Sequence, residues 1–379
     1  MTTFQLFFGS LKDPRRTSHS DHPLLTLIAI VLMSMLCGAK GWDDMFLWAW
    51  SRRTWLATII DLSAGVPSAD TLRRLMSALE PKAFRQGFEA WARSVVEQMP
   101  ELHLAIDGKT IRGSERLGLP AVHVVRAFVV NNHLVLGQLA TEEKSNEITA
   151  IPELLKTLAI KGGLVSIDAM GCQHEIARTI VDGGADYLLA VKDNQPLLRQ
   201  EIEEQLASRP VPSRSSSSSF HQTEDQAHGR LERRRVWTET RLAKLRLFGE
   251  WVEANTIVRV ESERHTDQGV SIENRYYLSS RKLTARQAAL AIRGHWAIEN
   301  VCHWSLDVTL GEDACQIADG YAAENLSLVR SLVLGALKRS VGKLSKFEGK
   351  KLSMRQTQKV CGWDNESLME LMGALFLVS

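Results

Sequence analysis

Residues 102–110 read LHLAIDGKT and residues 163–171 read GLVSIDAMG, two short apolar runs that each deliver an aspartate followed by a small residue. Each run is too short for a helix and rich enough in branched aliphatics for a buried strand, so the spacing predicts strands over 103–107 and 164–168. Asp107 and Asp168 then stand at strand ends, where α/β proteins place their sites. Two carboxylates so placed, each beside a small residue that leaves room for a ligand, make a seat for hard divalent cations. The sequence around them completes a sheet. Ala121–Val130, a turn at Asn131-Asn132 and Leu134–Ala140 read as further strands. Helical stretches at Ile148–Ala159 and Gln173–Val181 and a strand at Tyr187–Lys192 turn the pattern into βαβ. The expected fold is α/β, a mixed sheet flanked by helices.

Working outward, residues 1–98 read as helical, with an apolar run at Leu24–Ala39 and aromatics at helical spacing over Trp42–Trp55. Sixteen apolar residues are too few for a bilayer span and fit a buried helix. Ser68 or Asp70 would cap a helix carrying Arg73 and Arg74, which could enter a DNA groove. After about residue 200, Pro210, Pro212 and the serine run 215–219 mark a flexible connection. Strand-like pieces at Val236–Arg241, Val252–Glu261 and Asn274–Leu278 then suggest a β-rich insertion. A long helix is expected from Thr284 through Leu310 and another over Tyr321–Leu337. The segments are thus 1–98 helical, 99–200 and 283–340 the two parts of a mixed-sheet core, 201–282 the β insertion, and 341–379 a basic tail. Between Lys338 and Lys359 eight Lys or Arg face one acid, Glu348.

The chain has 379 residues, 46 basic against 44 acidic, a formal charge of +2. That excludes a uniformly basic coat but not a local basic groove. Five scattered cysteines without a C-x-x-C pair exclude a disulfide framework and a thiolate zinc site, and fit a reducing cytoplasm. Gly108-Lys109-Thr110 resembles the end of a phosphate-binding loop, but His103 stands where that loop needs glycine. Lys109 also occupies the place of the second aspartate of a haloacid-dehalogenase phosphatase. In IRGHWAIENVCHWSLD, helical spacing puts His295, Glu299 and His303 on one face and Trp296, Asn300 and Trp304 on its neighbour. A zinc site there lacks a fourth ligand, and the tryptophans are expected in the core.

The segments AIDGKTIRGS, SIDAMGCQ, Val191–Gln195, His228–Arg234 and HWAIENVCHWSLDVTLGED together resemble bacterial insertion-sequence transposases of the As-one type, the H-repeat-associated proteins. These belong to the DDE superfamily with an RNase H-like core. The resemblance extends over Phe8–Arg16, Pro67–Arg74 and Ala318–Asp364, nearly the whole chain. It implies a catalytic, metal-binding triad of Asp107, Asp168 and Glu299, with two Mg²⁺ ions, or Mn²⁺ in their place, serving an in-line phosphoryl displacement. It implies double-stranded DNA as partner, both inverted-repeat ends and target, a homodimer in the DNA-bound complex, no membrane role, and a bacterial cytoplasmic, nucleoid-associated location. An idle DNA-binding relic and a structure-selective nuclease on the same scaffold are the alternatives.

The more distant relatives carry the third acid in a Tyr-x-x-Arg-x-x-x-Glu-x-x-x-x-x-x-Lys frame, where this chain has Ile292, His295 and Leu306. Contact with flanking phosphate would then fall to Arg293, His295 or Lys192. Asp193 stands where the family often has glycine. The expected phosphate contacts are Lys109, Arg112, Lys192, Arg230, Arg233, Arg234, Arg293, His295, Arg73, Arg74 and the tail lysines. Trp237 or Trp251 could wedge against a flipped base, or be buried in the insertion.

Overall fold

The structure, a computed structural model, describes residues 2–15, 20–96, 101–115, 120–141, 147–207, 217–227, 230–242, 249–267, 269–340, 344–347 and 349–376. In chain order the elements are α1 (Thr2–Phe8), α2 (Leu24–Leu36), α3 (Trp42–Ser51), α4 (Arg53–Leu56), α5 (Ala69–Ala78), α6 (Pro81–Val96), β1 (His103–Thr110), β2 (His123–Val129), β3 (Leu134–Thr141), α7 (Glu147–Thr157), β4 (Leu164–Ile167), α8 (His174–Asp182), β5 (Asp186–Val191), α9 (Pro196–Ala207), β6 (Ser218–Ala227), β7 (Arg230–Glu239), β8 (Thr256–Thr266), β9 (Gly269–Ser279), α10 (Ala285–His295), α11 (Trp304–Val308), α12 (Ala322–Arg339), α13 (Met354–Trp363) and α14 (Asn365–Phe376).

The chain divides into two compact units. One comprises Met1–Met99, Gly108–Lys144 and Glu299–Ser379, the other Pro100–Asp107 and Ser145–Ile298. Strand β1 begins in the second and ends in the first. In the second unit β1, β4 and β5 run parallel, in the order β1-β4-β5, and β9 then pairs antiparallel with β5, followed by β8, β7 and β6. The β-rich insertion is therefore a meander that continues the sheet. In the first unit β2 and β3 form an antiparallel hairpin, and the strand order continues β3-β2-β1. The mixed sheet with flanking helices and the order β3-β2-β1-β4-β5 agree with the RNase H-like α/β fold expected.

Local chemistry explains the helices that frame these strands. Eleven of the thirteen residues of α2 are buried, so its apolar run is core. Among the described residues no helix is long and apolar enough to cross a membrane. Ser68 caps α5 by accepting from the Thr71 N–H at 3.1 Å. Thr284 with Gln287 opens α10, and Ser353 with Gln356 opens α13, each as a reciprocal capping box. In the second unit α10 lays Ala285, Ala288, Ala291 and Ile292 on a core of Leu164, Leu188, Val236, Val258, Val260 and Tyr277. Its small residues let the helix approach the sheet closely.

Several expectations change. The strand expected to end at Asp107 runs on to Thr110, because Gly108 and Lys109 continue the extended backbone. The single helix expected over Thr284–Leu310 is α10, a π turn at Ile298–His303, and α11. Ser218 and Ser219, read as part of a flexible connection, begin β6, while residues 208–216 lie outside the described residues. Helix α9 has no counterpart among the expected elements. The expected basic tail folds into α13 and α14, anchored on the first unit where Gln358 Nε2 donates to Met35 O (3.2 Å).

Candidate active site

Parallel pairing of β1 with β4 aligns Ala105 with Ser166 and Ile106 with Ile167, so Asp107 and Asp168 are the next residues in register. Because strand side chains alternate faces, His103, Ala105 and Asp107 share one face of the sheet with Ser166 and Asp168. Neighbouring strands lie about 4.8 Å apart, which brings the two half-buried carboxylates side by side.

The turn after β4 holds Asp168 firmly. Its Oδ1 accepts from the N–H groups of Met170 (3.0 Å) and Gly171 (3.4 Å), while Oδ2 is unengaged among the described residues. Gly171 is required, since a Cβ there would collide with Ile167 Cγ2. The turn after β5 clamps the same loop. Asn194 Nδ2 donates to Ala169 O (2.6 Å) and Gln195 Nε2 to Cys172 O (3.0 Å). Asp193 pairs with Arg199 of α9.

Behind the aspartates, Ser166 Oγ lies 2.9 Å from His103 Nε2, 3.0 Å from His295 Nδ1 and 3.2 Å from Leu104 O. One hydroxyl proton can go to the carbonyl while both imidazoles donate to the oxygen. Burial, with His295 and Arg281 nearby, pushes His103 down to about 4, so it is neutral near pH 7. Burial also lowers His295, against the opposing pull of Asp168. The expectation that His295 reaches DNA phosphate changes accordingly: the ring is turned onto the sheet.

Glu299 belongs to the first unit and is exposed within the π turn. That turn breaks the spacing that would put His295, Glu299 and His303 on one face. His303 faces other neighbours. Burial first, then Arg126, Lys109 and His123, drive it down to about 3. Trp296 and Trp304, expected in the core, are 37% and 56% exposed, and Arg275 stacks over Trp296 at 4.7 Å. Among the described residues no group of three or more His, Cys, Asp or Glu is gathered to hold a metal ion.

The first unit ties the end of β1 to the chain after Glu299. Lys109 Nζ meets Asp307 (2.8 Å), Asp313 (2.6 Å) and Glu312 (3.5 Å). Burial opposes the charge on Lys109, but Glu312, Asp307 and Asp313 prevail and raise its pKa. Lys109 is thus committed to carboxylates, contrary to the phosphate role expected. Deeper still, Arg126 Nη2 bonds Glu312 (2.6 Å) and Ser327 (2.7 Å), both ions fully buried. Gln138 links Ser327 (3.0 Å) to Ser331 (2.7 Å).

Five of the other expected phosphate contacts are paired with carboxylates inside the chain. Arg73 and Arg74 pair with Asp70, Arg233 with Glu224, Arg234 with Asp225 and Glu232, and Arg293 with Asp225. Lys192 and Arg112 are exposed, Arg112 lying 3.7 Å from Asp313. Arg230 opens β7 beyond His228 and Gly229, which lie outside the described residues. Trp237 and Trp251 are buried, Trp237 beside Phe220 and Trp251 against His174, which removes them as base wedges.

Residues 98–334 match the family described as "Transposase DDE domain", and residues 6–92 match its associated region, "DDE_Tnp_1-associated". The chain belongs to this family of DDE transposases. It is 39% identical to "Putative transposase YncI" of Escherichia coli O157:H7, over 88% of this chain and 86% of that one. It is 36% identical to "H repeat-associated putative transposase YhhI" of Escherichia coli K12, over 86% and 88% respectively. A solved piggyBac transposase synaptic complex with hairpin DNA aligns with TM-score 0.46 and 13% identity, covering 99% of this chain and 80% of that one.

Proposed function

We propose that this transposase binds the terminal inverted repeats of its own insertion sequence and cleaves and joins DNA with divalent metal ions, Asp107, Asp168 and Glu299 supplying the carboxylates. The observation that carries the reading is the register of β1 and β4, which sets Asp107 beside Asp168 on one sheet face in a chain of this family. Their hard oxygen donors fit Mg²⁺ or Mn²⁺, with Glu299 as the third acid. When bound, such ions lower the pKa of an attacking water or hydroxyl and stabilise charge on the phosphate and the leaving oxygen.

The chain's own part is positioning. The Met170 and Gly171 amides fix one oxygen of Asp168 and leave Oδ2 for a ligand. Ser166, His103 and His295 brace the two strands behind the site with neutral hydrogen bonds, which add no positive charge to compete for the carboxylates. Joining two element ends calls for two copies of the chain, hence a homodimer on DNA.

The test is metal-dependent nicking of a labelled duplex bearing the element's own end, by wild type and by Asp107→Asn, Asp168→Asn and Glu299→Gln. Each substitution removes a charge at constant shape. Each is expected to cost more than the roughly 100-fold typical of groups merely supporting a ligand, with DNA binding retained. Wild type that binds the end and never cuts it with Mg²⁺ or Mn²⁺ supports the idle-relic reading instead. Cutting that survives Glu299→Gln removes Glu299 from the triad.

A further inference from the structure

We infer that the exposed face of α13, together with Lys350 and Lys351 just ahead of it, docks the phosphate backbone of duplex DNA. The inference rests on the DNA-handling reading above and adds a surface outside the carboxylate site.

Helix α13 has two unlike faces. Met354, Thr357, Gln358, Val360 and Cys361 are buried against the first unit, pinned where Gln358 reaches Met35 O and Cys37 Sγ reaches Cys361 O (3.3 Å). On the other side Arg355, Lys359 and Trp363 recur every four residues, and all three are exposed, Trp363 by 79%. A spacing of four keeps them on one strip about 12 Å long. The helix contains no acidic residue.

What separates this strip from the chain's other basic stretches is its lack of internal neutralisation. Arg233, Arg234 and Arg235 of β7 and Arg73 and Arg74 of α5 are paired with carboxylates of their own unit. Among the described residues, Lys350, Lys351, Arg355 and Lys359 meet none. Arg355 spends one N–H on the Val308 carbonyl (2.9 Å), and Lys346, farther back, is the lysine that Asp364 and Glu366 neutralise. Two cations on the helix and two just ahead of it, none paired with a described carboxylate, in a protein of net charge only +2, concentrate positive potential at one place. A regular polyanion, with a phosphate every ~3.4 Å along each strand, is the complementary partner. Trp363 ends the strip with a flat apolar surface that can pack on sugar or on an unstacked base.

The test measures anisotropy of a labelled 30-base-pair mixed-sequence duplex with the full-length chain, from 50 to 200 mM salt. Each phosphate neutralised contributes about 0.9 to the slope of log K against log salt. The variant K350Q/K351Q/R355Q/K359Q is expected to lose about 3 to 4 from that slope, so that its affinity falls roughly 100-fold less than wild type's across this range. K350R/K351R/R355K/K359R keeps the slope. Trp363→Ala weakens binding about five-fold or more at unchanged slope. A wild-type slope in the glutamine variant, its fold verified by circular dichroism, overturns the proposal, as does absence of duplex binding by wild type at 50 mM. So does loss of binding to phosphatidylserine vesicles with the duplex slope intact, which would assign the strip to membranes. Normal nicking at an unchanged slope removes this inference alone, whereas a slope change in a chain that never nicks leaves docking standing without the catalytic reading.

Discussion

Replacing Glu312 by Gln tests whether the first unit is held by a buried charge pair. Arg126 and Glu312 are both 0% exposed and 2.6 Å apart, and Ser327 is the other group bonded to the same guanidinium nitrogen. The amide keeps shape and one hydrogen bond but removes the charge that compensates a guanidinium in a low-dielectric interior. Breaking a buried pair from one side costs about 3–5 kcal/mol, far more than the ~1 kcal/mol of an exposed pair. For a unit of roughly 200 residues, at about 2–4 °C per kcal/mol, the melting temperature should fall by about 6–20 °C. Lys109, left with Asp307 and Asp313, adds little, since both of those acids are partly exposed. Urea unfolding followed by circular dichroism gives the measurement, with Arg126→Met/Glu312→Met as its control. Removing both charges should recover most of the loss, because it is the uncompensated ion that is costly. A loss below about 1 kcal/mol for Glu312→Gln, or a double variant no better than the single one, would refute the argument.

Two more outcomes follow. His103 and His303 are held below the ordinary histidine value, near 4 and near 3, so below about pH 6.5 the unfolded chain takes up protons that the folded chain refuses. Stability should therefore be intact above pH 6.5 and decline as pH falls toward 4 and 3; the urea midpoint measured against pH should flatten in His303→Gln, and an unchanged profile would contradict the burial argument. Gly171→Ala pushes a methyl into Ile167 and displaces the turn that holds Asp168, so nicking should drop by more than tenfold while duplex binding changes less than twofold; equal losses in both would mean the turn serves folding rather than the site.

The strand aspartates were legible because two signals coincide there. Branched aliphatic runs announce strands, and although one strand-end aspartate commonly caps a turn, as Asp168 also does, two such aspartates on separate strands point to a shared site. Their partners were less visible. His103 and Ser166 lie at even spacing from Asp107 and Asp168, so alternation alone could have placed them on the same face, but nothing local brings His295 onto them. The π turn escaped detection because helical periodicity assumes a constant 3.6 residues per turn. The basic segment on β7 misled for a different reason. Its countercharges sit on β6 and β8, up to about 30 residues away in sequence and adjacent only through strand pairing.

By itself the sequence determined the mixed α/β character, most strand and helix positions, an aspartate in or just after each of two apolar strands and the family, because these depend on local periodicity and on residues close together in the chain. Tertiary structure alone decided the register that sets Asp107 against Asp168, the burial of Arg126 with Glu312 and the commitment of Lys109 to three acids. It also decided which basic residues are paired with carboxylates. The physical reason is range: periodicity is written over a few residues, whereas a charge is neutralised by whatever the fold brings within about 4 Å, from anywhere in the chain.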